Sequence, residues 1–238
     1  MSKLSKAMYL GVTVLTAGIS IAAIPKMTAT GNATTVSNNK MAQKEQTLLA
    51  ANPTMSKKAL TLGIRAYEHI RAEGKDSQHM LTIVNYNKPS DENRLWVINM
   101  KDAKVKYNTL VAQGKNTGYV KATSFSNDPK SLESSIGVFL TGDTYNGEHG
   151  NSLRLIGLDK GFNTNAEQRA VVMHSAWYVS HQFAAAHGRV GNSWGCLALS
   201  KRMEPKVVNA IKDGSVIVSY YPNQQWESHS PYLQPMSA

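Results

Sequence analysis

The sequence predicts a mainly β domain with a few peripheral helices, and three observations predict it. Beyond Met80, apolar and β-branched residues come in short runs; clusters of Gly, Asn, Asp and Ser separate those runs; and sustained helical spacing is confined to a stretch before Met80 and one after Pro205. With 238 residues, 42% of them apolar and 18% charged, the chain has material for one ordinary packed core.

Lys3 and Lys6 precede an apolar run from Ala7 to Ile24 and small residues around Ala29 to Ala33. That order is the pattern of an export signal, so residues 1–33 are expected to be a signal peptide, with an uncleaved membrane anchor as the alternative, and the chain to work in the periplasm or cell envelope. Residues 34–52 are polar and read as a solvated linker. The catalytic domain is expected over 53–221, opening with a helix that Ser56 caps and Gly74 stops; Leu60, Ile64 and Tyr67 fall at helical spacing within it.

Strands are expected in MLTIVNY (80–86), RLWVINM (94–100), YNTLVAQ (107–113), GVFLT (137–141), SLRLIGL (152–158) and RAVVMH (169–174), with a hairpin turn at Met100 to Lys104. Pro205 can open a helix containing Val207, Val208 and Ile211, followed by a last strand over 215–220. From Pro222 to residue 238 a polar, poorly ordered tail is expected.

The formal charge is +10, and loss of the first 33 residues removes three of these positive charges, leaving a basic protein. A basic surface draws polyanions. No zinc-finger spacing, aromatic RNA-binding signature or arginine-rich arm accompanies the charge, so no nucleic-acid partner is expected. Cys196 is the only cysteine; in an oxidising compartment it has no partner within the chain, which leaves a functional thiol or a small buried hydrophobe.

The stretch VMHSAWYVSHQFAAAHGRVGNSWGCLALS (172–200) decides between them. It supplies His174 at a strand end, a loop with a short helix, and a cysteine behind a glycine. A thiol attacks an amide as the thiolate, so it needs a nearby imidazole to take its proton and later to protonate the leaving amine. The carbonyl oxygen that becomes an anion needs N–H donors, which the turn Ser193-Trp194-Gly195-Cys196 can offer.

Met173-His174-Ser175 and Gly191-Asn192-Ser193-Trp194-Gly195-Cys196 resemble the signature of the YkuD-type L,D-transpeptidases, in the branch that has tryptophan where others have histidine. The run from Ser124 to Asn163, including Ser135-Ile136-Gly137-Val138-Phe139, is similar to a second block of that branch. The resemblance covers about residues 80–220. It implies a β-sandwich or barrel, Cys196 as acylated nucleophile and His174 as its base. It also implies imidazole orientation by the Ser175 main chain, and Trp194, Gly195 and Cys196 as oxyanion donors. The implied reaction is attack on the L-diaminopimelate–D-alanine bond of a tetrapeptide stem and transfer of the acyl group to an amine, with carbapenems able to acylate the same thiol. Peptidoglycan stem peptides are then the partners, the protein a monomer, and no metal or organic cofactor is needed.

Two departures stand out. Trp194 replaces a histidine and is expected to pack as an apolar pocket wall, leaving His174 to work alone. Gln113 stands in Val111-Ala112-Gln113-Gly114, where the branch commonly has a histidine, which would alter activity if that histidine binds substrate or orients the base. Arg154 is the candidate for holding a peptide carboxylate, with Tyr145, His149, Ser193 and Asn192 as further substrate-binding candidates. His174, His181 and His187 have no H-E-x-x-H pattern or acidic neighbour, so no metal is expected, and His181 is expected on an exposed helix face. The alternatives are an L,D-carboxypeptidase using water as acceptor, a cysteine endopeptidase of the NlpC/P60 kind, in which the cysteine precedes the histidine, and a catalytically weakened wall-binding protein.

Overall fold

The computed structural model describes residues 30–236, with side chains from Asn39 onward; the expected export signal lies outside them. Its centre is one eight-stranded sheet in the order β3-β2-β1-β8-β4-β5-β6-β7. The strands are β1 (Met80–Asn85), β2 (Leu95–Asn99), β3 (Lys104–Thr109), β4 (Gly137–Gly147), β5 (Gly150–Gly157), β6 (Val172–Ala176), β7 (Leu197–Ser200) and β8 (Val216–Tyr220). Pairing is antiparallel except for β1 with β8 and β6 with β7, which are parallel. The chain just after β3 draws the two sheet edges together. Ala112 N–H donates to the Ala198 carbonyl at 2.9 Å, Ser193 N–H to Gln113 at 3.0 Å, and Lys115 N–H to Ser193 at 2.8 Å. The result is a nearly closed barrel, which removes the exposed edges of an open sheet.

Strand alternation sorts the apolar side chains into layers. Val84, Leu95, Val97, Phe139, Leu153, Met173, Leu197 and Ile217 fill the interior together with Val207, Val208 and Ile211 of α4 (Glu204–Ile211). Outside the β1–β2–β8 half, α2 (Lys57–Ala72) lays Leu60, Ile64 and Tyr67 on Leu81, Ile83 and Val218. Its Ser56 cap accepts from Ala59 N–H at 3.3 Å. A third, smaller layer of Leu110, Ala112, Ala176, Val179, Ala184, Val190 and Ala198 seats the loop with α3 (His181–His187) on the outer face of β6 and β7.

Two segments differ from the sequence expectation. The stretch expected as a linker lies in helix α1 (Thr30–Ala51), whose end buries Leu48, with Thr61 Oγ1 donating to Glu45 at 2.6 Å. The expected loose tail forms α5 (Gln224–His229) and a 3-10 turn, and its Trp226 is fully buried. Asp159 explains the anchoring: its carboxylate accepts from Trp226 Nε1 at 2.7 Å, Ser230 Oγ at 2.6 Å and Val138 N–H at 2.8 Å. Truncating Trp226 opens a large cavity and leaves one of those acceptors short of a donor. Trp226→Ala is therefore expected to lower unfolding free energy by about 3–5 kcal/mol, measured by denaturant titration; a loss under about 1 kcal/mol would mean that this end of the chain is not part of the cooperative fold.

Candidate active site

Register places the candidate residues. Tyr145 pairs with Ser152, Ser152 with His174, and His174 with Ala198, so these four share one outer face of the sheet across β4 to β7. Cys196 lies in the bend that leads into β7, one residue before Leu197, which pairs with Met173 beside His174.

His174 is buried, 3% exposed, and its Nδ1 lies 2.9 Å from the Ser175 carbonyl oxygen. A carbonyl oxygen only accepts, so Nδ1 carries the hydrogen and Nε2 is the basic nitrogen. Burial lowers the pKa of His174 below its usual value; the Ser175 hydrogen bond opposes this, and His149 adds to it. The His149 ring is stacked on His174 at 4.5 Å between centroids, reaching it from the β4–β5 hairpin. A second imidazole therefore stands at the base after all, contributed by the hairpin and not by the cysteine loop.

Cys196 is half-buried and free, and its thiol donates to the Ala170 carbonyl at 3.6 Å. Burial raises its pKa, against the Val172 N–H and the Arg169 charge. Gly195 makes the turn before the sulfur at φ +118°, and a Cβ there would meet the Glu133 carbonyl oxygen at 2.7 Å, so position and conformation both require glycine.

The loop carries two differences from expectation. Ser193, expected to bind substrate, is buried, and its hydroxyl donates to the Cys196 carbonyl at 2.7 Å while accepting from Gly195 N–H at 3.2 Å. It braces the turn, and it occupies one of the three expected oxyanion donors; Trp194 and Cys196 N–H remain. Asn192 is likewise held, accepting from Arg189 at 2.9 Å and donating to the Gln113 carbonyl at 3.4 Å. The Trp194 side chain is 77% exposed, not an apolar wall. Trp177 and Tyr119 are exposed on neighbouring loops, with Arg189 stacked 4.0 Å from the Tyr119 ring.

Arg154 stands 4.3 Å over the Tyr145 ring and 3.2 Å from Asp143, on the face that holds His174. Gln113 has no access to substrate: it is fully buried, accepting from Arg94 at 2.9 Å and donating to the Gly118 carbonyl at 2.8 Å. A groove of about 380 Å³ opens at the far ends of β6 and β7, between Trp177, Ser180, His181, Lys201 and Arg202, without contact to Cys196. Among the described residues no group of three His, Cys, Asp or Glu side chains could hold a metal. Sequence reasoning passed over Arg169, whose guanidinium lies behind Gly195; no motif marks it.

The sequence profile of the L,D-transpeptidase catalytic domain matches residues 51–220. The chain belongs to that family. Solved structures similar to this L,D-transpeptidase-type domain include an L,D-transpeptidase from Mycobacterium smegmatis, 13% identical with a TM-score of 0.38 over 60% of this chain and 59% of that one. The helical cell shape determining protein Pgp2 (K307A mutant) from Campylobacter jejuni is 12% identical, with a TM-score of 0.39 over 68% and 57%. An L,D-transpeptidase from Stackebrandtia nassauensis is 14% identical, with a TM-score of 0.35 over 69% and 67%. The chain thus spans about three-fifths of the length of the first of these. No curated protein matches it. The exposure of Trp194 leaves its ring little packing to lose. Trp194→His is expected to keep stability within about 0.5 kcal/mol and turnover within about threefold, compared by denaturation midpoint and by product formation. A folded but inactive Trp194→His protein would remove the Trp194 and Cys196 N–H groups as oxyanion donors.

Proposed function

We propose that this protein is an exported peptidoglycan L,D-transpeptidase that forms an acyl-enzyme on Cys196 and passes the acyl group to an amine of a second stem peptide. The observation that supports the reading is that the bend holding Cys196 leads into β7, the parallel partner of the strand that carries His174, an imidazole whose Nδ1–H is tied to Ser175, leaving Nε2 basic. Family membership supports the substrate class.

In the proposed reaction His174 Nε2 takes the thiol proton as sulfur attacks the carbonyl carbon of the L-diaminopimelate–D-alanine bond. Negative charge gathers on the carbonyl oxygen, where the Trp194 and Cys196 N–H groups can meet it. Collapse breaks the C–N bond, and the departing D-alanine amine takes the proton from His174. The acceptor amine then attacks the thioester, gives up a proton to His174, and the thiol re-forms on leaving. Water in place of the amine gives a carboxypeptidase. Arg154 is the proposed anchor for a stem carboxylate, with Tyr145 beneath it as a stacking surface.

Mass spectrometry of muropeptides after incubation with the purified protein tests this. Free D-alanine with newly cross-linked dimers is the expected result. D-alanine with only shortened monomers would replace transfer by hydrolysis, and no change relative to a Cys196→Ala control would overturn the reading. By the family resemblance a carbapenem should add covalently to the thiol, visible as an intact-mass adduct.

A further inference from the structure

We infer that Arg169 is the positioning residue of the Cys196 thiolate, acting both as its fixed counter-charge and as the clamp that holds the Ser126–Ser135 loop behind the nucleophile turn. The inference rests on the proposed role of Cys196 as nucleophile.

The geometry is a fork closed on one loop. Arg169 Nη1 donates to the Ser126 carbonyl and to Ser135 Oγ, both at 2.6 Å, and Nη2 donates to the Glu133 carbonyl at 2.6 Å and to Ser131 Oγ at 3.1 Å. Every one of these acceptors is uncharged. No carboxylate comes within ion-pair distance of the guanidinium among the described residues. A half-buried cation that is hydrogen-bonded but not neutralised keeps its field for whatever anion forms beside it.

That anion is the thiolate. The guanidinium lies where a Cβ on Gly195 would meet Nη2 at 3.3 Å and the Glu133 carbonyl oxygen at 2.7 Å, so the fork and the loop it holds form the back of the turn that aims the sulfur. Next in the chain, Ala170 adopts φ +53°, a left-handed conformation rare for alanine, and its carbonyl accepts the thiol hydrogen. Arg169 and Ala170 together bracket Cys196 from one short turn entering β6. The titratable groups around the thiol are Arg169, Tyr86 and Tyr178, with His174 under His149 on the adjoining strand β6; Glu133 and Asp128 act on the guanidinium from further off. Arg169 is the one permanent cation of this set. When His174 takes the thiol proton, Arg169 holds the resulting negative charge until sulfur bonds to carbon.

Because the chain has a single cysteine, alkylation of the full-length protein by iodoacetamide reads Cys196 alone. The rate is followed against pH in wild type, Arg169→Gln and Arg169→Lys, with thermal unfolding in parallel. Arg169→Gln is expected to raise the midpoint of reactivity by about one pH unit, slowing alkylation near neutrality by about tenfold. Arg169→Lys keeps the charge but loses the fork, and is expected to lower the melting temperature while holding the midpoint near wild type. Equal midpoints in wild type and glutamine variant would overturn the counter-charge. Should the glutamine variant fail to fold, Arg169→Met, which removes the charge and keeps the length of the side chain, is read in its place: a midpoint raised by about one pH unit supports the inference, and a wild-type midpoint overturns it. No peptidoglycan enters this measurement, so its failure is distinct from failure of the transpeptidase reading.

Discussion

Replacing Cys196 by alanine is expected to reduce turnover to background while leaving the protein folded. The proposed covalent step runs through the Cys196 sulfur, and loss of a nucleophile in enzymes that work through a covalent intermediate costs about 10⁶-fold. The structural cost is small by comparison. The side chain is half-buried, it meets the Ala170 carbonyl and the Val172 N–H, and the turn around it is braced by Ser193 Oγ and Gly195, which the substitution leaves in place. A denaturation midpoint close to wild type with no D-alanine release is the expected pair of results. Wild-type-like release by the alanine variant would remove Cys196 from the mechanism.

Legibility in the sequence followed whether the signal was local. Helix α2 was readable because its cap, its apolar stripe and its stop all lie within a few turns, and Ser56 does cap it. The tail was not. The stretch from Pro222 onward looks polar residue by residue, and what orders it is one tryptophan reaching a carboxylate 67 positions away. Helix α1 is similar, since among its described side chains Met41, Leu48 and Leu49 are the ones that meet the core. Strand β7 (Leu197–Ser200) went unread because four residues after a catalytic-looking loop carry almost no periodicity; it exists because β6 offers a parallel partner.

The site divides the same way. Cys196 and His174 were conspicuous as residue types in a short segment; His174 lies on β6, and Cys196 lies in the bend entering its parallel partner β7. His149 and Arg169 act through topology, the first because the β4–β5 hairpin curls its tip over His174, the second because its fork reaches a loop more than thirty residues earlier. Gln113 shows the reverse case, where a change from the family pattern looked functional and is structural. Arg94 is fully buried and donates to the Val111 and Lys88 carbonyls as well as to Gln113, with the Tyr86 ring 5.1 Å away. Burial depresses its pKa to about 10, so it remains a cation at neutral pH. Glutamine suits that partner because its amide oxygen accepts from the guanidinium while its amide nitrogen donates to Gly118.

His174→Gln carries the second large effect, and its pH dependence has a definite sign. Glutamine can keep a hydrogen bond to Ser175 but cannot take a proton, so acylation is expected to fall by about 10²–10⁴-fold, with His181→Gln and His187→Gln near wild type because both side chains stand on the exposed side of α3. In the wild type burial holds the His174 pKa below its usual value. The base is therefore already unprotonated at neutral pH, and the acid limb of kcat/KM is expected below pH ~6.5. That limb should vanish in the glutamine variant, whose residual rate instead climbs with pH as the burial-raised thiol ionises without help. Stability obeys the same linkage. A histidine buried in the neutral form contributes stability that is fully present above its unfolded pKa of ~6.5 and is lost as pH falls through the lower folded value. Relative to wild type, the glutamine variant should accordingly lose less stability on acidification below pH ~6.5. Measuring acylation rate and unfolding free energy across that range on both proteins checks the two expectations together. An acid limb that survives in His174→Gln would assign the general base to another group, and its stacked neighbour His149 would be the first to replace.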